Sequence, residues 1–524
     1  MSELQGSHFV AGSAEQGDGE VFFGQDAAKG GDLEPGYAEA SAAQVQRACA
    51  AADAAAAPLA VSSPKVRAAL LRTIGDGLND LGDALVRRVQ EETALPAARV
   101  QGERARTVMQ LNQFADLIEE GSWVNACIDH ADAARQPLPK PDLRRMNVAL
   151  GPVAVFGASN FPLAYSVAGG DTAPALAAGC PVIVKGHPAH PGTSELVGRV
   201  VRDAVSKHEL PDGTFSLLHG RTHQTGAALV RHDAIKAVGF TGSHAGGRAL
   251  SDLAAQRREP IPVFAEMGSV NPVVVLPEAM KVRGRQIAEQ LAASALLAQG
   301  QFCTSPGMVL WLDGDGAGEF SAVLREQLTS AQPGPTVHPS IKAGFERAMA
   351  DVASLPVEVD VSAGDAAGPS EVCPALVLAT PAALEGNERL RSEIYGPAIL
   401  GVACAGDAEL KQALASLEGH LTGTVHGEGD DFVCYAAVVD ELRGKVGRLI
   451  ANGVPTGVEV SPAMVHGGPY PAATDARFSA VGASAILRWV RPVCWQNWPH
   501  DLLPAELRDD NPLGIRRSVD GSSS

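Results

Sequence analysis

Gly151-Pro152-Val153-Ala154-Val155-Phe156-Gly157, the small-residue run Gly169 to Ala178, and Pro181-Val182-Ile183-Val184-Lys185 together decide the fold. The outer two pieces are short apolar runs bounded by Gly or Pro, which read as buried strands, and a helix lies between them. The rhythm continues with helix Thr193 to Val205, strand Phe215-Ser216-Leu217-Leu218, helix Thr225 to Val230 and strand Lys236 to Phe240. After Glu266 it resumes: strand Pro272 to Leu276, helix Arg283 to Ala298, strand Met308 to Leu312, helix Glu319 to Thr329, and on to about Asn452. Strands alternating with helices imply right-handed crossovers on parallel sheets, hence an α/β protein.

Upstream the chain reads as helical. An Ala-rich helix runs from Ala38 to Ala57 and ends at Pro58; Ser63-Pro64 caps and opens a second, and further helices reach Glu120. Leu143 to Leu150 is a candidate strand, and Ile486 to Arg491 a second one whose edge needs a partner. At 524 residues the chain is too long for one core, so two or three domains are expected. A net charge of −18 argues against a nucleic-acid partner, and no apolar run is long enough to span a bilayer. Met1 to Asp18 lacks a signal pattern, and the eight scattered cysteines form no CxxC pair. Both features point to a reducing cytoplasm and away from a zinc cage or disulfide framework, so no metal site is expected.

Four features carry chemistry. In Phe240-Thr241-Gly242-Ser243-His244-Ala245-Gly246-Gly247 a strand stops at a Gly/Ser turn and opens a helix, whose free N–H groups suit a diphosphate. Lys185 ends a buried strand, at the edge where ligands of open α/β sheets collect. Glu266, in Phe264-Ala265-Glu266-Met267-Gly268-Ser269, suits a general base; a salt-bridged structural role is the alternative. Cys303, in Gln299-Gly300-Gln301-Phe302-Cys303-Thr304, is a candidate nucleophile, although most cysteines are inert core residues.

In this order the four resemble the aldehyde dehydrogenase superfamily, as do Ala158-Ser159-Asn160-Phe161-Pro162 and Glu393-Ile394-Tyr395-Gly396-Pro397. The resemblance implies a Cys303 thiolate attacking an aldehyde, an oxyanion held by Asn160 and the Cys303 N–H, and Glu266 activating the hydrolytic water. It also implies an NAD(P) site built from Lys185, Gly226, Phe240, Gly242, Ser243, Gly247, Glu393 and Tyr395. A Rossmann-like cofactor domain would span about 1–130 and 151–265, and a catalytic domain about 266–460. A bridging and oligomerisation element would comprise 131–150 and 461–524, giving a homodimer or homotetramer.

Strictly NAD-dependent relatives often carry a glutamate three places after the strand-end lysine. Pro188 stands there, so NADP is the preferred cofactor and NAD the alternative, with His187 and Arg221 as phosphate partners. Finer stretches, including Gly453 to Val460 and Val465-His466-Gly467-Gly468-Pro469-Tyr470, resemble the α-ketoglutaric semialdehyde (2,5-dioxovalerate) dehydrogenases. A related branch takes medium and long-chain fatty aldehydes. The usual Phe before the Pro-Thr-Gly-Val-Glu segment is Val454, at the expected substrate mouth. An anionic semialdehyde calls for a cationic anchor; Arg104 and Arg477 are the candidates, with structural salt bridges as the alternative. A CoA-acylating enzyme would have no hydrolytic use for Glu266, and a non-catalytic relative no use for the intact Cys303, Glu266 and Asn160.

Overall fold

Apolar runs of four or five residues are too short for helices, and in the computed structural model, which describes residues 4–523, they become the strands of two large sheets. The first has the order Val263–Glu266, Ala237–Thr241, Val153–Phe156, Val182–Lys185, Phe215–Leu218, His8–Val10, Ser13–Glu15. Its first five strands are parallel, and the two N-terminal ones extend it antiparallel. The register aligns Phe156 with Lys185 and Phe240, and Thr241 with Glu266. Phe156, Lys185, Phe240 and Glu266 therefore share one carboxyl edge, where the crossovers leave a crevice.

The second sheet has the order Glu358–Val361, Ala375–Ala379, Ala398–Cys404, Met308–Leu312, Pro272–Val275, His420–His426, Val446–Ala451, and only its first strand runs antiparallel. Pro272–Val275 and His420–His426 are wholly buried, as central strands covered on both faces must be. A third sheet joins Val490–Gln496 to Leu143–Ala149 and Cys127–Asp129, with Ser518–Val519 and Ser522–Ser523 beyond.

Three local expectations shift. Pro58 does not end its helix but lies in the last turn of Ala42–Ala60, where its missing N–H costs one bond. The helix expected over Arg283 to Ala298 runs Pro277–Leu296, starting early because Pro277 suits a first turn. It stops early because Ala298 and Gln299 are left-handed, at φ 48° and 54°. Ile486 to Arg491 is not one strand. Ala483–Trp489 forms a 3-10 segment that buries Ile486 and Trp489 three residues apart, and the strand begins at Val490.

A buried carboxylate ties helix to loop. Glu103, on helix Ala97–Glu120, accepts the N–H groups of Leu163 and Ala164 at 2.8 and 2.9 Å and pairs with Arg99 at 3.4 Å. These bonds fix the turn that carries Asn160. Glu103→Ala would strand two N–H groups and a guanidinium, and it is expected to cost about 3 kcal/mol, read as a lower urea midpoint. Glu103→Gln, which still accepts, should cost less.

Candidate active site

The cysteine loop is built on an unusual turn. Ala298, Gln299 and Gly300 all have positive φ, of 48°, 54° and 66°. Such backbone costs energy for non-glycine residues and persists only where neighbours over-determine it. Here they do. The Gln301 carbonyl accepts from Asn160 Nδ2 at 2.9 Å and from the Tyr395 hydroxyl at 3.1 Å. The Gln301 side chain donates to the Ala298 carbonyl at 2.8 Å and accepts from Val337 N–H at 2.9 Å. Asn271 Nδ2 donates to the carbonyls of Cys303 and Ser305, both at 2.8 Å. Gly300 lies so close to Gly396 that a Cβ would come within 2.2 Å of its carbonyl oxygen.

Cys303 emerges half-buried from this scaffold. Its Sγ is 3.4 Å from His466 Nε2, which is 2.8 Å from Glu266 Oε1. The three donor atoms all lie within 4.8 Å of one another, although the residues are far apart in sequence. Burial opposes a charge on His466, but the Glu266 carboxylate and the Cys303 sulfur beside it lift its pKa to about 10. At neutral pH an imidazolium thus stands next to the sulfur. Glu266 Oε2 is buried without a protein partner, and the residue lines a cavity of about 20 Å³, room for one water. The sequence around His466 does not single it out, because a His-Gly-Gly turn carries no spacing rule.

An apolar cluster packs beside the cysteine loop, with the Arg99 guanidinium 4.3 Å from the Phe161 centroid. Phe161 meets Tyr165 edge-on at 5.2 Å and Phe302 at 5.4 Å, with Val458, Val460 and Met464 packed around them. Asn160 spends one amide hydrogen on Gln301 and keeps the other for a ligand.

The crevice at the first sheet's edge suits a dinucleotide. Ser243 caps helix His244–Ala255, its Oγ accepting from Gly246 N–H at 3.2 Å. A Cβ on Gly242 or Gly246 would strike the Phe240 ring at 2.7 or 2.8 Å, one on Gly247 would meet Met267 at 2.6 Å, and one on Gly226 would meet Phe156 at 2.8 Å. Only glycine permits this close backbone. Burial pulls the Lys185 pKa down to about 8, and among the described residues no carboxylate lies within ion-pair distance of it. Its neighbour Glu39 is occupied, accepting from Arg221 N–H at 2.7 Å, Thr222 N–H at 2.9 Å and the Thr225 hydroxyl at 2.6 Å. That bonding orients the exposed Arg221 loop. His187 stacks on His190 at 5.4 Å and stays neutral through burial. Glu393 packs against Gly268, where a Cβ would be 2.3 Å from its Oε2, and burial raises its pKa to about 7.

Other expected residues lie elsewhere. Tyr395 supports the cysteine loop, its hydroxyl donating to the Gln301 carbonyl. Arg104 donates to the Gly82 carbonyl at 3.0 Å, on the far side of its helix from the Arg99, Glu103 and Arg106 row. Arg477 is 82% exposed and pairs with Asp475 at 2.5 Å. Arg477 thus makes the structural salt bridge that was its alternative, whereas Arg104 makes a backbone hydrogen bond rather than an ion pair. Val454 is 37% exposed and precedes the loop 455–458.

A cysteine, a carboxylate and an amide donor at the mouth of a dinucleotide crevice on paired α/β sheets define a class of enzyme. Residues 34–468 match the aldehyde dehydrogenase family, and the chain belongs to it. It is 46% identical over 523 residues to α-ketoglutaric semialdehyde dehydrogenase 2 of Azospirillum brasilense, covering 99% of this chain and 100% of that one. It is 40% identical to the α-ketoglutaric semialdehyde dehydrogenase of Acinetobacter baylyi, covering 99% of both. The fold matches a betaine aldehyde dehydrogenase of Staphylococcus aureus solved with NAD+, at TM-score 0.81, 17% identity and coverage of 95% and 98%. It also matches a 3,6-anhydro-L-galactose dehydrogenase, at TM-score 0.80, 19% identity and coverage of 94% and 99%.

His466→Gln should slow alkylation of Cys303 by iodoacetamide at pH 7 by about tenfold or more, since the positive charge 3.4 Å from the sulfur is lost.

Proposed function

We propose that this protein oxidises α-ketoglutaric semialdehyde to 2-oxoglutarate with an NAD(P) cofactor, through a thioester on Cys303. The convergence of Cys303, Glu266, His466 and Asn160 supports the chemistry. Full-length likeness to two semialdehyde dehydrogenases supports the substrate and favours it over a fatty aldehyde.

Cys303, its sulfur 3.4 Å from His466 Nε2, adds as the nucleophile to the aldehyde carbon. The free amide hydrogen of Asn160 and the Cys303 N–H hold the resulting oxyanion; one such donor typically supplies about 3–4 kcal/mol. Bound NAD(P) supplies the hydride acceptor, and Cys303 is left acylated. Glu266 then takes a proton from water as it attacks the thioester, and the acid leaves. A CoA-acylating reaction would leave Glu266 without this task.

Residues that fit the dinucleotide are Gly242 and Ser243 for the diphosphate, Lys185 and Glu393 for the two riboses, and Arg221 and His187 for a 2′-phosphate. Gly226, Phe240 and Gly247 shape the crevice. With Pro188 in place of a carboxylate, NADP is preferred. The 266–460 segment acts as the catalytic domain, with His466 contributed from beyond it. Strand Val490–Gln496 has one paired edge, and its free edge suits a second copy, in a homodimer or dimer of dimers. No described helix is long and apolar enough to cross a membrane; with eight free cysteines, this supports a cytoplasmic enzyme.

Initial rates with NADP are expected to equal or exceed those with NAD; a strong NAD preference would refute the cofactor choice. Cys303→Ala should abolish oxidation with NADP binding nearly intact, measured by fluorescence titration. Glu266→Gln should show a burst of reduced cofactor followed by a stalled acyl-enzyme, visible as added mass on Cys303.

A further inference from the structure

We propose that Arg106 and Arg448 grip the carboxylate end of the substrate. The proposal rests on the reading of a 2-oxo acid semialdehyde, and it assigns the anchor to residues that reach one loop from helix Ala97–Glu120 and from strand Val446–Ala451. Arg448 pairs in register with Thr422 across two parallel strands, so both side chains point the same way. The Thr422 hydroxyl donates to Asn271 Oδ1 at 3.0 Å, and Asn271 holds the Cys303 carbonyl. Arg448 therefore rises on the face that carries the nucleophile. Its guanidinium donates to the carbonyls of Pro455 and Gly457 at 2.6 and 2.9 Å.

Arg106 arrives from the helix on the other side. Its guanidinium donates to the Val458 carbonyl and, at 3.2 Å, to the Tyr165 hydroxyl, whose ring is 6.4 Å from that of His466. The two arginines thus clasp one loop, 455–458, whose Thr456 hydroxyl lies 3.4 Å from the carbonyl of Thr304, next to Cys303. Arg99, on the same helix face, is neutralised by Glu103. Among the described residues neither Arg106 nor Arg448 has a carboxylate partner, although burial works against the charge on Arg448. Each keeps unspent Nη hydrogens, and a planar fork suits a carboxylate. Arg99 lies over the Phe161 and Phe302 rings with Glu103 as its ion-pair partner, which leaves Arg106 and Arg448 as the cations to select an aldehyde with an anionic tail.

Wild type, Arg106→Met, Arg448→Met and Arg448→Lys would be assayed with NADP on 2,5-dioxopentanoate and on pentanal. Inhibition of pentanal oxidation by 2-oxoglutarate would be measured in parallel. Each Met variant is expected to raise KM for the dicarbonyl and the inhibition constant of 2-oxoglutarate by about tenfold or more. Pentanal should lose far less, and Lys should recover part of the loss. Equal losses on both aldehydes would assign the arginines to holding the loop and overturn the proposal, as would an inhibition constant that does not move or a wild type indifferent to 2-oxoglutarate. If 2-oxoglutarate binds through these arginines but 2,5-dioxopentanoate is not oxidised, the anion site stands and the substrate reading falls.

Discussion

The carbonyl of Gln301 is the joint on which the site depends. One oxygen receives the Asn160 amide, from the turn after a strand of the first sheet, and the Tyr395 hydroxyl, from just before a strand of the second. One surface from each sheet is thereby referenced to the same backbone atom, two residues before Cys303. The left-handed run Ala298 to Gly300 is tolerable only because this oxygen, the Gln301 side chain and the Asn271 amide are all satisfied. Rigidity is what a nucleophile needs, since small errors of placement cost large factors in rate.

Around that joint, charge is arranged by burial. Glu266 and Cys303 would repel each other as bare anions in a site this poor in water. His466 between them offsets both, and their field keeps it protonated. The crevice differs: Lys185 and Arg221 stand there with Glu39, their nearby carboxylate, taken up by the loop bearing Arg221. Anions are admitted there and balanced at the sulfur.

Much of this was legible in the chain. Short apolar runs capped by Gly and Pro read as buried strands, so the parallel sheets and the carboxyl-edge residues Lys185 and Phe240 followed from local pattern, whereas the strand Val263–Glu266 did not. The turns of Asn160, Gly242 and Cys303 are continuous segments, and their chemistry is carried by neighbours in sequence. Misplaced elements have local causes: Pro58 is tolerated in a last turn, and Trp489 is pulled into the core by packing that periodicity does not see.

What tertiary structure alone decided involves residues remote from one another along the chain. His466 joins Glu266 and Cys303 only after three segments converge, and no spacing rule encodes that meeting. Arg104 and Arg106 look equivalent in sequence, yet two helical positions turn one toward Gly82 and the other toward Tyr165. Tyr395 likewise bonds Gln301, a contact that no local pattern announces. Sequence determines which groups can act and which local turn presents them, because backbone preferences are short-range. Charge state, pairing and orientation depend on burial and on through-space fields, which exist only once the chain is packed.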